Sequence, residues 1–132
     1  MKLRSPDRAK QRQALRMQYD CIKDAVRLLA GGLKKHAETM SEKAVPLAVV
    51  IRSKETIMKN HSKARDGLIG TGAVEAFEHL NGEIEKALTV FVGSCAKYCE
   101  EYKTKYVPMV VVGRFELELL SKISRGGAKP QR

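Results

Sequence analysis

One stretch of the chain, residues 74–106, carries its apolar and aromatic side chains at the three- and four-residue spacing of an α-helix. On a helical projection these side chains fall within one band about 120° wide, and the glutamates lie outside it. Such a face must be buried against other elements, so the stretch predicts a long amphipathic helix in a helical core. The band consists of Val74, Phe77, Leu80, Ile84, Leu88, Phe91, Cys95, Tyr98, Cys99, Tyr102 and Tyr106.

The N-terminal region predicts a second long helix, which begins at Ser5, a favourable N-cap, and has Pro6 in its first turn. Its apolar residues alternate at spacings of four and three, the heptad seam of a coiled coil. We expect the helix to reach about Lys43. The pair Gly31-Gly32 is a candidate kink, because each glycine costs about 1 kcal/mol relative to Ala. The seam consists of Leu15, Tyr19, Ile22, Val26, Leu29, Leu33 and Met40.

Two shorter helices are predicted at 46–66 and 108–124, and the helix through 74–106 begins at Thr71 or Gly72 after a glycine-rich turn. No stretch alternates with period two between turn signals, so we expect no strands. The run of β-branched residues at 107–113 is interpreted as a helix start with Pro108 in its first turn. We also find no internal repeat. The inward-facing residues of the short helices are predicted to be Leu47, Val50, Ile51, Met58, Leu68, Val112, Phe115, Leu119 and Ile123.

The predicted fold class is all-α, an elongated bundle of three to four helices, two long and two short. The long helices exceed what a compact chain of 132 residues needs, so their uncovered seams predict a homodimer. We expect a single α-helical domain over 1–124, with a flexible basic end at 1–5 and a disordered basic tail at 125–132.

The composition is typical of a folded protein, with 43% apolar and 30% charged residues. Three cysteines without the spacing of a disulfide framework favour free thiols in a reducing compartment. The cytoplasm is the expected location, and the nucleus is also open to so small a basic protein. Since no apolar run approaches the roughly 20 residues of a membrane-spanning helix, no transmembrane segment is expected.

The net charge of +10 is unevenly distributed along the chain. Residues 1–35 carry ten Lys or Arg and three Asp, a net +7, whereas residues 71–106 carry four Lys and six Glu, a net −2. This asymmetry indicates a polyanionic partner, which could be nucleic acid, an anionic membrane or an acidic protein face.

A row of basic residues runs along the first helix, beside the apolar seam, and we call this row the basic ridge. The row contains no carboxylate, whereas an ordinary solvated face mixes charge signs to form pairs three or four residues apart. The plainer interpretation is equally supported: Lys and Arg stems commonly cover apolar neighbours at the edge of a coiled coil. The basic ridge consists of Arg8, Arg12, Arg16, Lys23, Arg27 and Lys34.

The predicted function is non-enzymatic binding of nucleic acid, with the basic ridge contacting the phosphates of duplex RNA or DNA without reading the bases. The basic chain ends, 2–8 and 125–132, are expected to assist. The alternative is a helical-bundle scaffold, adaptor or assembly subunit whose basic rim meets an acidic protein. Membrane-surface binding is less favoured, because the apolar stripes are needed for helix packing.

The remaining candidate motifs predict no catalytic residue, metal or cofactor. Cys95 and Cys99 lie four apart, a poor zinc spacing, so we interpret them as core residues, with a thiol switch between monomers left open. His36, His61 and His79 lie in three separate segments; of these, His79 is expected to face outward. The stretch 67–75 lacks the phosphate-loop pattern and is interpreted as a turn that leads into a helix.

Overall fold

A computed structural model describes the chain over residues 4–68 and 70–125. Within these ranges the chain is mostly helical, and the prediction of two long and two short helices is confirmed. The predicted tail lies outside the described residues except for Arg125, and so do the first three residues of the predicted flexible end. The elements are α1 (Arg4–Thr39), β1 (Ala44–Pro46), α2 (Leu47–Lys63), a 3-10 turn (Ala64–Gly67), α3 (Thr71–Glu101), β2 (Tyr106–Pro108) and α4 (Met109–Ser124).

The first helix is continuous. It has 36 residues and passes through Gly31-Gly32 without interruption, so it is about 54 Å long at 1.5 Å per residue. The third helix begins at Thr71, as predicted, and Gly70 precedes it with φ of 96°. That backbone conformation favours glycine, which explains why the turn needs this residue.

Both long helices end four to five residues earlier than their apolar patterns predict. At the end of α1 the N–H of Glu42 donates to the carbonyl of Ala37, and Ser41 has φ of 56°. At the end of α3 the N–H of Thr104 donates to the carbonyl of Cys99, and Lys103 has φ of 51°. Each set is a Schellman motif, which usually carries glycine at the left-handed position. Because both positions hold other residues, the sequence contains no stop signal. Four residues predicted as inward-facing are exposed, three of them past these ends: Met40, Ile51, Tyr102 and Tyr106.

A short antiparallel ribbon joins the two connections, so the prediction of no strands is wrong. The strand β1 pairs with β2, and Val45 lies opposite Val107, both fully buried. Pro46 and Pro108 precede their helices as N-caps instead of occupying the first turn. The first amides of α2 and α4 donate to carbonyls across the ribbon, at 2.8 and 2.9 Å. Three-residue strands are too short to give a period-two signal.

The described chain contains two copies of one unit, which consists of a long helix, a strand and a short helix. The prediction of no internal repeat is therefore also wrong. We call 4–63 the first half and 71–124 the second half. Residues 62 positions apart, such as Val45 and Val107, are equivalent. The segments 43–52 and 105–114 are identical at six of ten positions, and the Schellman and ribbon hydrogen bonds recur in both halves.

The core is built from equivalent residues of the two halves. The long helices α1 and α3 contact each other, and each also contacts the short helix of the other half as well as its own. The burial of Cys95 and Cys99 is confirmed, and none of the described residues in the core is polar or charged. None of the described helices is both long and apolar enough to cross a membrane. Equivalent buried pairs are Ile22/Ile84, Ala25/Ala87, Val26/Leu88, Leu29/Phe91, Leu33/Cys95, Ala37/Cys99, Val45/Val107 and Val50/Val112.

Candidate nucleic-acid interface

The basic ridge lies along α1. Arg12, Arg16, Arg27 and Lys34 are exposed and Lys23 is half-buried, while the side chain of Arg8 lies outside the described residues. From Arg12 to Lys34 the helix advances 22 residues, or about 33 Å. Because α1 has no break over this length, the five cations form one straight row.

The C-terminal part of the basic ridge borders α4. Arg27 and Lys34 line a groove whose opposite wall includes Val110 and Glu116. The Lys23 ammonium donates a hydrogen bond to the Ser124 hydroxyl at 3.2 Å. The ridge therefore follows the edge where α1 meets α4, and its last cation lies close to the start of α4.

Two ridge cations pair with acidic neighbours that lie outside the row itself. Lys23 lies 3.8 Å from Asp20, and Arg27 donates to Asp24 at 3.1 Å. The row itself contains no carboxylate, but each of these aspartates lies three residues before its partner, on the adjacent row of the helix, and reaches it from there. Both aspartates are exposed, and ion pairs of this kind contribute little to stability. An arriving phosphate can therefore replace them.

Three other ridge cations, Arg12, Arg16 and Lys34, form no ion pair within the described part of the chain. They lie at the two ends of the ridge, where no ion pair among the described residues needs to be broken. An incoming polyanion would meet these three cations with the smallest rearrangement of the protein.

The second half carries no basic ridge at the equivalent positions of α3. The residues 62 positions after Arg12, Arg16, Lys23, Arg27 and Lys34 are Val74, Glu78, Glu85, Thr89 and Ala96. The backbone and the core on this helix are nevertheless those of α1. Packing of the unit therefore does not require cations along this face.

A second basic surface lies where α3 leads into β2, at residues 102–106, which we call the tyrosine–lysine loop and which includes the first residue of β2. Tyr102 and Tyr106 are 64% and 55% exposed, and Lys103 and Lys105 between them are exposed too. Sequence reasoning placed both tyrosines in the core, because the helical pattern continues by chance beyond the end of α3. The alternation of aromatic and basic residues in YKTKY is the signal that could have identified this surface.

The cysteines of α3 are both buried in the core. Burial, and to a smaller extent the neighbouring Cys99, raises the pKa of the Cys95 thiol to about 12. Burial also raises the pKa of Cys99. A thiol that stays protonated is a poor nucleophile and a poor metal ligand. Cys21, by contrast, is exposed.

The histidines remain apart, with different surroundings. His61 shares a hydrogen bond of 2.8 Å with Asn81 and stacks on Phe77 at 4.9 Å between ring centroids. His36 is half-buried in the groove between α1 and α2, and His79 is exposed. Across the residues described, no three His, Cys, Asp or Glu side chains converge to hold a metal ion.

Comparison with protein-family models, with curated proteins and with solved structures finds no match. Within the chain itself, the contrast between the two halves is the feature most informative about function.

Proposed function

We propose that this protein binds nucleic acid through the phosphates, by means of the basic ridge on α1, without reading the base sequence. The observation that carries the proposal is the contrast between the two halves. The same backbone and core hold five cations on α1 and none on α3 at equivalent positions. Cations that the fold does not need, in one continuous row, are explained by a polyanionic ligand.

The dimensions of the basic ridge favour a duplex. Its length of about 33 Å matches roughly ten base-pair steps at about 3.4 Å each. No exposed aromatic residue interrupts the described part of the row, since the only aromatic of α1, Tyr19, is half-buried. A row of cations without stacking platforms suits a paired backbone better than unpaired bases. Phosphates are common to RNA and DNA, so both are candidate ligands.

The test is binding of random-sequence duplex RNA and DNA by a variant that removes the three unpaired ridge cations, Arg12→Gln, Arg16→Gln and Lys34→Gln. Each lost phosphate contact reduces the slope of log K against log salt by roughly 0.7 to 0.9. We therefore expect the slope to fall by about 2 to 3 and the affinity to fall equally for all sequences.

A matched control removes the same charge elsewhere, through Lys59→Gln, Lys63→Gln and Lys97→Gln, which are all exposed. This control is expected to keep most of the slope and affinity, while circular dichroism shows that both variants are folded. The absence of any gel shift at low salt for the wild-type protein, or equal losses in the two variants, would refute ridge-specific binding.

An acidic protein partner is the second candidate function, and one observation favours it. Val110 and Leu117 on the outer side of α4 are 81% and 70% exposed, whereas the equivalent residues of α2 are Ala48 and Glu55. Apolar side chains next to a basic groove suit a protein surface better than a phosphate backbone. In this case Val110→Ser with Leu117→Ser would abolish co-purification with an acidic protein and leave duplex binding unchanged.

The homodimer, which we expect from the length of the two long helices, remains a prediction. We propose that a second copy covers part of the exposed apolar surface on α1, which includes Met17 and Leu28. Sedimentation velocity across a range of concentrations measures this directly. A single monomeric species at all concentrations would contradict it.

A further inference from the structure

The two most exposed aromatic side chains of the protein lie in one five-residue loop. Of the seven aromatic residues, all within the described part of the chain, only Tyr102 and Tyr106 are more than half exposed. Both belong to the tyrosine–lysine loop, and Lys103 and Lys105 lie between them. Neither ring is needed to fill the core, so both are accessible to a ligand.

The loop holds its tyrosines in a defined arrangement. The ring of Tyr102 lies 4.5 Å from that of Tyr98, between centroids, and is tilted by 31°. The Schellman motif fixes the backbone after Tyr102, and the amide of Tyr106 donates to the Thr104 hydroxyl at 3.1 Å. A platform that is already ordered loses less entropy when a ligand binds.

The lysines distinguish this loop from the equivalent loop of the first half. Lys103 has φ of 51°, the left-handed conformation of the Schellman motif, and Ser41 has φ of 56° at the equivalent position. The fold therefore uses this conformation in both halves, and only the side chain differs. The equivalent loop of the first half, 40–44, reads MSEKA and contains no aromatic residue and only one lysine.

The tyrosine–lysine loop leads through β2 to the start of α4, which borders the last cation of the basic ridge. Lys34, the last ridge cation, lines a groove with Met109 and Val110, and these two residues directly follow β2, which contains Tyr106. A duplex on the ridge that extends past Lys34 would therefore reach the end of the molecule that carries the loop.

We infer that the tyrosine–lysine loop binds unpaired nucleotides at the end of a duplex held on the basic ridge, with bases stacked on Tyr102 and Tyr106 and phosphates contacted by Lys103 and Lys105. This inference rests on the proposed nucleic-acid binding and names its ligand as a junction between paired and unpaired strands. Stacking on aromatic side chains tolerates any sequence, as the ridge does.

The experiment compares a blunt duplex of about 12 base pairs with the same duplex ending in a fork of unpaired arms of about four nucleotides. Stacking contributes about 1 kcal/mol or more per base, so the wild-type protein should bind the fork at least about fivefold more tightly. Tyr102→Ala with Tyr106→Ala should remove this gain and leave binding of the blunt duplex unchanged. Tyr102→Phe with Tyr106→Phe should keep the gain, because the ring is what stacks.

Two controls isolate the stacking. Met40→Ala changes the exposed residue equivalent to Tyr102 in the other loop and should keep the full gain. A fork whose arms lack bases retains its phosphates, so it should bind equally well to the wild-type protein and to the double alanine variant. Thermal unfolding of each variant confirms that the fold is intact.

The outcomes separate this inference from the proposed function. If the blunt duplex binds through the ridge but the fork brings no tyrosine-dependent gain, the loop inference is wrong and the ridge proposal stands. If fork binding depends on the tyrosines but the ridge variant changes nothing, the ridge proposal fails and the loop remains a binding site. No binding to any of these probes at low salt overturns both.

Discussion

The first and second halves of the molecule share their backbone features and core but differ in their surfaces. Both halves end the long helix with a Schellman motif, start the short helix from a proline in the ribbon and bury a valine at its centre. At exposed positions they diverge, as with Arg16 and Glu78, or Met40 and Tyr102. Agreement between the halves thus marks what the fold requires, and disagreement marks candidate sites of function.

The first prediction concerns the positions where the halves agree. Leu29 and Phe91 are equivalent and fully buried, so Leu29→Ala should cost about 2–5 kcal/mol and Phe91→Ala about 3–5 kcal/mol in free energy of unfolding. Urea denaturation followed by circular dichroism measures both. Each variant should unfold in one transition, because α1 and α3 share the core. Either variant unfolding in two steps, or with an unchanged midpoint, would show that the halves are not equivalent parts of one core.

The second prediction transfers the basic ridge between the halves. Glu85→Lys, Thr89→Arg and Ala96→Lys place cations on α3 at the positions of Lys23, Arg27 and Lys34. If a row of cations on this backbone is sufficient for duplex binding, the variant should bind two duplexes per chain instead of one. Otherwise its slope of log K against log salt should be steeper by about 2 to 3. Isothermal titration calorimetry measures the stoichiometry.

The control for this transfer is Gln at the same three positions, which changes the side chains without adding cations. It should keep the stoichiometry and nearly the same slope. If the Lys and Arg variant behaves like the Gln control, the row of charges alone is not sufficient, and the ridge would depend on its border with α4.

The sequence predicts the helices and most of the core, because amphipathic periodicity reports directly on burial. Ile84, Leu88 and Phe91 fall in the predicted band and are buried. The helix ends could not be predicted, since Ser41 and Lys103 adopt left-handed conformations without being glycine. The repeat was missed because strong identity is confined to the ten residues around each ribbon strand, while elsewhere the halves share mainly apolar character.

The candidate sites were predictable to different degrees. The row of ridge cations follows from helical spacing alone, but the pairing of Arg27 with Asp24 depends on side-chain conformations that a projection does not give. The tyrosine–lysine loop was hidden for a different reason. Its tyrosines continue the apolar spacing of α3, so only the position of the helix end reveals that they are exposed.

The smallest predicted effect concerns the two left-handed residues, where the halves agree in backbone and differ in side chain. Ser41→Gly and Lys103→Gly should each raise the free energy of unfolding by about 0.5 kcal/mol, because relief of the left-handed conformation slightly exceeds the entropy that glycine adds to the unfolded chain. Urea denaturation of both variants measures this. Only Lys103→Gly should also weaken binding of the forked duplex, since only that change removes a loop cation. If both variants are stabilised but bind the fork as the wild type does, Lys103 takes no part in phosphate contact, and the left-handed lysine is tolerated by the fold without serving the loop.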